Sequence, residues 1–132
     1  MGGVIVQVKL TNAIDEELVN RGLLNPNLLR VYETQALVDT RATRTVLPKH
    51  LGLRIRSQQV AKYADGREEA VGLTEPVIIE IEGRQTIEAT MVTAHQVLIG
   101  QTVLETLDLL VDCKNQRLVP NPAHPDYPVL RV

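Results

Sequence analysis

The chain has 132 residues, enough for one ordinary domain and too few for two. Hydrophobic residues make up 44% and charged residues 23%, a balance that excludes a disordered chain, and a formal charge of −2 removes the electrostatic case for a dedicated nucleic-acid binder. No apolar run approaches the ~18 residues of a membrane span, the start of the chain has no basic and apolar leader, and the single cysteine, Cys113, fits a reducing, cytoplasmic setting.

Aromatic residues are confined to Tyr32, Tyr63 and Tyr127, so a core must be built from Val, Leu, Ile and Ala. β-branched residues of that kind pack well on a pleated surface. In chain order, Val4, Val6, Val8 and Leu10 fall on one face of a strand. Residues 14–24 hold a short helical turn, with Asn12 as its N-cap and Gly22 as its stop. Asn25-Pro26-Asn27 is a turn. A second strand, 28–38, ends in Ala36-Leu37-Val38, and Thr45 to Leu47 is again apolar and β-branched.

Pro48 opens a helical turn to Leu51 that Gly52 stops. Residues 55–63 extend, Asp65-Gly66 is a two-residue hairpin signal, and 68–73 is the return arm. A further hairpin pairs 77–82 with 85–92 through Glu82-Gly83-Arg84. Val97 to Gly100 is a buried strand end, 102–107 suits a short helix, and 109–112 pairs with 117–119. From Pro120 onward a Pro-rich segment is expected to be extended, or ordered only against a partner. The sum is roughly eight short strands with one or two short helices, an all-β, barrel-like domain.

The segment richest in chemistry is Ala36-Leu37-Val38-Asp39-Thr40-Arg41-Ala42-Thr43, where a bulky apolar strand ends abruptly in an acid and a hydroxyl. A carboxylate at the edge of a buried sheet is tuned by burial and by neighbouring hydrogen bonds, as acid–base catalysis requires. An Asp that only caps a turn has the same local sequence. Leu47-Pro48, Ala64-Asp65-Gly66-Arg67, Leu98-Ile99-Gly100 and the stretch from Leu107-Asp108-Leu109-Leu110-Val111-Asp112 to Lys114-Asn115-Gln116-Arg117-Leu118-Val119-Pro120-Asn121-Pro122 follow in order.

In these motifs the sequence resembles the retropepsin-like aspartic proteases, and more narrowly their small bacterial single-lobe members, over about Val4 to Pro122. The resemblance implies a pepsin-like, single-lobe closed barrel that works as a two-fold symmetric homodimer on a peptide or protein substrate, as an aspartic-type endopeptidase. It implies a domain over residues 1–122 and a tail over 123–132. Asp39 is the catalytic acid, paired with its copy in the partner. Thr40 hydrogen-bonds across the dimer axis, and Arg41 and Ala42 line the cleft. Tyr63, Ala64, Asp65, Gly66 and Arg67 lie in a flap over residues 62–69, and Leu98, Ile99 and Gly100 form the loop behind the acid. No cofactor, metal, nucleic acid or membrane is implied.

Two carboxylates in such a dyad share one proton, because like charges that close do not both ionise easily. One acts as base on a water, and the other donates to the scissile carbonyl. Asp108 and Asp112 lack a following Thr-Gly and are read as structural.

Arg41 stands where the family has Gly. Gly allows close approach of backbone to the carboxylates, whereas Arg fills that space with a permanent charge. Unit charges ~4 Å apart interact by ~4 kcal/mol at an effective dielectric of ~20. A cation so placed favours ionisation of both carboxylates and removes the shared proton. Two functions follow: an endopeptidase impaired by Arg41, or a catalytically silent dimer that binds peptides or proteins in the same cleft, a pseudoenzyme.

Cys113 sits in a turn and reads as a passive thiol, and His50, His95 and His124 are scattered singly without metal-ligand spacing. The group Arg41, Arg44, Lys49, Arg54 and Arg56 reads as a solvated face, with attraction of acidic peptides as the functional alternative.

Overall fold

The first strand sets the frame. In β1 (Val4–Asn12), Val4, Val6, Val8 and Leu10 are buried while Ile5, Gln7 and Lys9 face outward. A period of two produces this alternation wherever one face of a sheet meets the core. The structure is a computed structural model that describes residues 3–51, 53–93 and 96–130. Gly52 and His95, singled out in the sequence, lie outside the described residues, as does the side chain of His50.

The other elements are α1 (Ala13–Asn20), β2 (Val31–Val38), β3 (Val46–Pro48), β4 (Ile55–Lys62), β5 (Glu68–Thr74), β6 (Val77–Ile81), β7 (Arg84–Glu88), β8 (Met91–Thr93), β9 (Leu98–Ile99), α2 (Gln101–Leu107), β10 (Leu109–Asp112) and β11 (Arg117–Pro120). Single 3-10 turns cover Pro26–Leu28 and Lys49–Leu51. The molecule is mostly β with two short α-helices, as expected. No helix among the described residues is long and apolar enough to cross a membrane.

Nine strands form one sheet in the order β4-β5-β8-β3-β9-β2-β1-β6-β7, and β10 and β11 pair separately. The large sheet curls into a half-barrel. Among the described residues no ladder joins the edge strands β4 and β7, so full closure of the barrel is not seen. The core is mostly aliphatic: Leu10, Leu47, Ile79, Ile81, Ile99 and Leu107 are almost completely buried, and Tyr32 packs against it. Leu104, Leu107 and Val103 on α2 cap it from one side.

The structure differs from the sequence reading at three places. The expected strand 85–92 is two strands, because the chain leaves β6 after Glu88 and resumes as β8 between β3 and β5. The change is fixed at Thr90, whose backbone N–H donates to the Thr74 hydroxyl, with the two hydroxyls 2.9 Å apart. The β4–β5 hairpin turns over residues 63–67 rather than two residues: the Tyr63 N–H donates to the Arg67 carbonyl at 2.8 Å, and Gly66, at a φ of 88°, donates to the Tyr63 carbonyl at 2.9 Å. The segment after Pro120 is not extended. It turns at Asn121–His124 and folds back onto its own chain, where Asp108 accepts from Asn121 Nδ2 (3.1 Å), from the Val129 N–H (3.2 Å) and contacts His124 Nδ1 at 2.6 Å. Asp108 therefore has a structural role, in keeping with the sequence reading. The Asn121 amide is the main contributor holding its carboxyl below the usual range.

Asn12 caps α1, its side chain accepting from the Asp15 N–H at 2.9 Å. Asp15 in turn is buried against Arg30, with Oδ2–Nε 2.7 Å and Oδ1–Nη2 2.9 Å, a bidentate pair that fastens α1 to the start of β2. The Arg30 bonds hold the Asp15 carboxyl below its ordinary value. A carboxyl held low in the folded state adds stability above its unfolded value of about 3.9, and that stability is lost as pH falls through the folded value. Asp15→Asn is therefore expected to cost about 1–3 kcal/mol at pH 7. Chemical denaturation should show the gap to the unaltered protein closing between about pH 5 and pH 2.

Candidate functional site

β2 ends at Val38, and Asp39 begins a loop that reaches β3 at Val46. Pairing places this loop. β9 lies parallel to β2, with Leu37 opposite Leu98 and Val38 opposite Ile99, and antiparallel to β3, with Val46 opposite Leu98. The Asp39 N–H continues the ladder onto the Ile99 carbonyl at 3.0 Å. Ile99 is fully buried and Leu98 half-buried, so the acid projects from the end of a fixed apolar row.

Beyond Ile99 the chain passes directly beneath the loop. The Gln101 N–H donates to the Ala42 carbonyl at 2.7 Å, and the Thr102 N–H donates to the Thr43 carbonyl at 3.1 Å. Gly100 has no room for a side chain, since a Cβ there would lie 2.5 Å from the Arg44 carbonyl carbon and 2.7 Å from the Thr43 oxygen. Its N–H donates to the buried Thr45 hydroxyl at 3.2 Å. Glu88, at the end of β7, holds the same junction from the far side: Thr102 Oγ1 donates to Oε2 at 3.1 Å and the Thr45 N–H to Oε1 at 3.4 Å. Thr45, Glu88 and Thr102 were not singled out in the sequence. Each is an ordinary residue at the end of an element, and only the tertiary crossing brings them together.

Asp39 keeps a partly exposed carboxylate, with 21% of the side chain open. Its Oδ1 accepts from the Arg41 N–H at 3.0 Å and from Arg41 Nε at 3.3 Å. No other side-chain bond to Asp39 occurs among the described residues, so Oδ2 remains open to a water or a ligand. The Ala42 N–H turns back to the Asp39 carbonyl at 3.1 Å, which makes the loop a tight turn around the acid. Thr40 is exposed, Ala42 is half-buried, and the Arg41 side chain is 91% exposed.

The flap candidates Tyr63, Ala64, Asp65, Gly66 and Arg67 form the β4–β5 loop at the sheet's edge. Asp65 Oδ1 accepts from the Arg67 N–H at 2.9 Å, and the Arg67 guanidinium lies 4.2 Å from the centre of the Tyr63 ring. That packing gives the tip its own internal order. β4 is exposed along almost its whole length and β5 over Glu68–Ala70, so the outer part of the hairpin stands away from the core, while Val71 and Thr74 at its base are buried.

Among the described residues no group of three or more His, Cys, Asp or Glu converges in a way that would hold a metal. Cys113 is exposed in the β10–β11 turn. His124 sits in the C-terminal turn against Asp108. A cavity of about 600 Å³ runs beside α2, between Leu104, Leu109, Leu110 and the C-terminal Val129 and Leu130, and Asp39 does not line it.

In comparisons with known proteins, no family model matches this chain and no curated protein matches it.

Proposed function

We propose that this chain is a retropepsin-like aspartic endopeptidase of the pepsin-like, single-lobe type, whose active site forms on the axis of a homodimer and is impaired by Arg41. The observation that carries the reading is the position of Asp39. It ends a buried strand, its N–H is tied to Ile99, and its loop rests on a glycine with no space for a side chain. Such a mount holds a carboxylate in one place while leaving its outer oxygen free. In the dimer the two Asp39 side chains share one proton. One takes a proton from water as the water oxygen attacks the peptide carbonyl, and the other protonates the carbonyl oxygen. Collapse of the tetrahedral intermediate breaks the C–N bond and passes a proton to the leaving amine. Thr40 faces the partner's loop, Ala42 lines the cleft, and the 62–69 hairpin closes over substrate and excludes water. The single cysteine agrees with a cytoplasmic setting.

A second reading is favoured by the Asp39–Arg41 contact. With both the Arg41 N–H and Nε on Oδ1, that oxygen is engaged within its own loop rather than left to face a second carboxylate. The dimer then binds peptides or proteins without cutting them.

A digest of a peptide mixture from pH 3 to 8 separates the two. Arg41→Gly is expected to raise cleavage about ten- to a thousandfold, the range of one charge interaction between water and a partly buried site. Asp39→Asn is expected to abolish cleavage in either background. Cleavage that persists in Asp39→Asn rejects the protease reading. No cleavage even after Arg41→Gly leaves the binding module.

A further inference from the structure

We propose that Arg41 makes this cleft a carboxylate-recognition site whose ligands are acidic peptide segments, an Asp or Glu side chain of the ligand pairing with the guanidinium. The inference rests on the peptide-cleft reading above and names its substrate class.

Arg41 turns toward Asp39 through two bonds to one oxygen. Its main-chain N–H and its Nε both reach Asp39 Oδ1, at 3.0 and 3.3 Å. A guanidinium carries five N–H groups in a rigid plane. Nε–H is used, and the four on the two Nη atoms have no acceptor among the described residues. The side chain is 91% exposed. What remains is the outer fork of the guanidinium, whose parallel N–H pair matches the two oxygens of a carboxylate. The internal pair does not compete strongly, because an ion pair this exposed contributes only about 0–1 kcal/mol.

Charge along the chain points the same way. Between Asp39 and Asp65 lie six cations, Arg41, Arg44, Lys49, Arg54, Arg56 and Lys62, and no carboxylate. All sixteen carboxylates and the other eight cations lie outside this stretch. All six cations are exposed, and no salt bridge occupies any of them except Arg41 among the described residues. Arg44 shares the 39–45 loop with Arg41, and a local excess of exposed cations raises the arrival rate of anionic ligands, whereas Lys62 lies opposite Glu68 in the β4–β5 ladder.

Peptide is favoured over a nucleic-acid strand by the lack of a stacking platform. Single strands bind by laying bases on aromatic faces. The one aromatic residue of this stretch is Tyr63, and Arg67 already covers its ring.

The test uses the full chain and calorimetric titration with two decapeptides that differ only in carrying three Glu or three Gln. The Glu peptide is expected to bind at least tenfold more tightly, and Arg41→Gln is expected to reduce that preference to less than threefold. Arg41→Lys should restore only part of it, because an ammonium lacks the fork. Equal affinity for both peptides, binding of neither, or a preference that survives Arg41→Gln overturns the proposal. So does a single-stranded oligonucleotide that binds more tightly than the Glu peptide and depends on Arg41. A cleavage assay on the same peptides keeps the two readings apart. Arg41-dependent binding with no cleavage by either the unaltered chain or Arg41→Gly leaves this inference standing and the protease reading rejected. Cleavage of both peptides alike that rises in Arg41→Gly and is lost in Asp39→Asn does the reverse.

Discussion

Gly100→Ala is expected to lower the unfolding free energy by about 3 kcal/mol, at the upper end for overpacking a tight site. The cause is space rather than backbone angle, since Gly100 has an ordinary φ of −87°. The added Cβ would meet the Arg44 carbonyl carbon at 2.5 Å, its oxygen at 2.6 Å and the Thr43 oxygen at 2.7 Å. These are backbone atoms, so no side chain can rotate away. Either the 39–45 loop lifts or α2 retreats, and both movements break the Gln101–Ala42 and Thr102–Thr43 bonds. Urea denaturation reads the stability. Amide exchange at Ala42, Gln101 and Thr102 reads the site. A loss below about 1 kcal/mol with unchanged exchange would show that the crossing is looser than described. By contrast, Gly83→Ala meets no neighbouring atom, and its cost is the backbone strain of a side chain at a turn φ of 75°.

Arg84→Met is expected to cost about 3 kcal/mol and to lower the melting temperature by roughly 10 °C. Arg84 is the first residue of β7, and only 8% of it is exposed. Its Nη1 donates to the Leu107 and Asp108 carbonyls at 2.9 and 3.0 Å, and its Nη2 donates to the His124 carbonyl at 2.8 Å. The guanidinium thus joins the end of α2, the left-handed Asp108 and the returning C-terminal segment. Met keeps the aliphatic stem, so the change isolates the polar contacts. It strands carbonyls that the fold keeps from water, and unmet buried acceptors cost about 1–3 kcal/mol each. Thermal unfolding followed by circular dichroism measures the effect. A fall under 3 °C would mean that water replaces the guanidinium at little cost.

Much of the fold was legible because its signals are local. Val4 to Leu10 alternate strictly, and β1 buries that face. Asn12 was read as a cap, and it accepts the Asp15 N–H. Glu82-Gly83 was read as a joint, and both residues take the positive φ of a two-residue turn. What failed was pairing. Residues 85–92 are uniformly strand-like, and nothing in their periodicity states that the partner changes at Thr90. The C-terminal prolines suggested an extended tail because the signal for its return is one Asp thirteen residues earlier, with no local pattern.

The site was legible in the same uneven way. Asp39 stood out because an acid ends an apolar run, and Arg41 because it departs from the resembling motif. Glu88, Thr45 and Thr102 did not stand out. Their carboxylate, amide and hydroxyls matter only through a crossing that joins Thr45 to Glu88, 43 residues later, and Glu88 to Thr102, 14 residues later. Arg84 was seen only as part of a turn, since a buried guanidinium and an exposed one have the same sequence.

The two-residue strand β9 has a consequence for the order in which the molecule is made. The bonds that seat the Asp39 loop run to Ile99, Gly100, Gln101 and Thr102, some sixty residues later in the chain. Closing so long a loop is slow, because its entropy is lost before any contact repays it. A nascent chain that has emerged as far as β8 holds both β2 and β3 but has nothing to place between them. The acid therefore stays unmounted through most of synthesis, and the newly made protein gains its site only when the last third of the chain arrives.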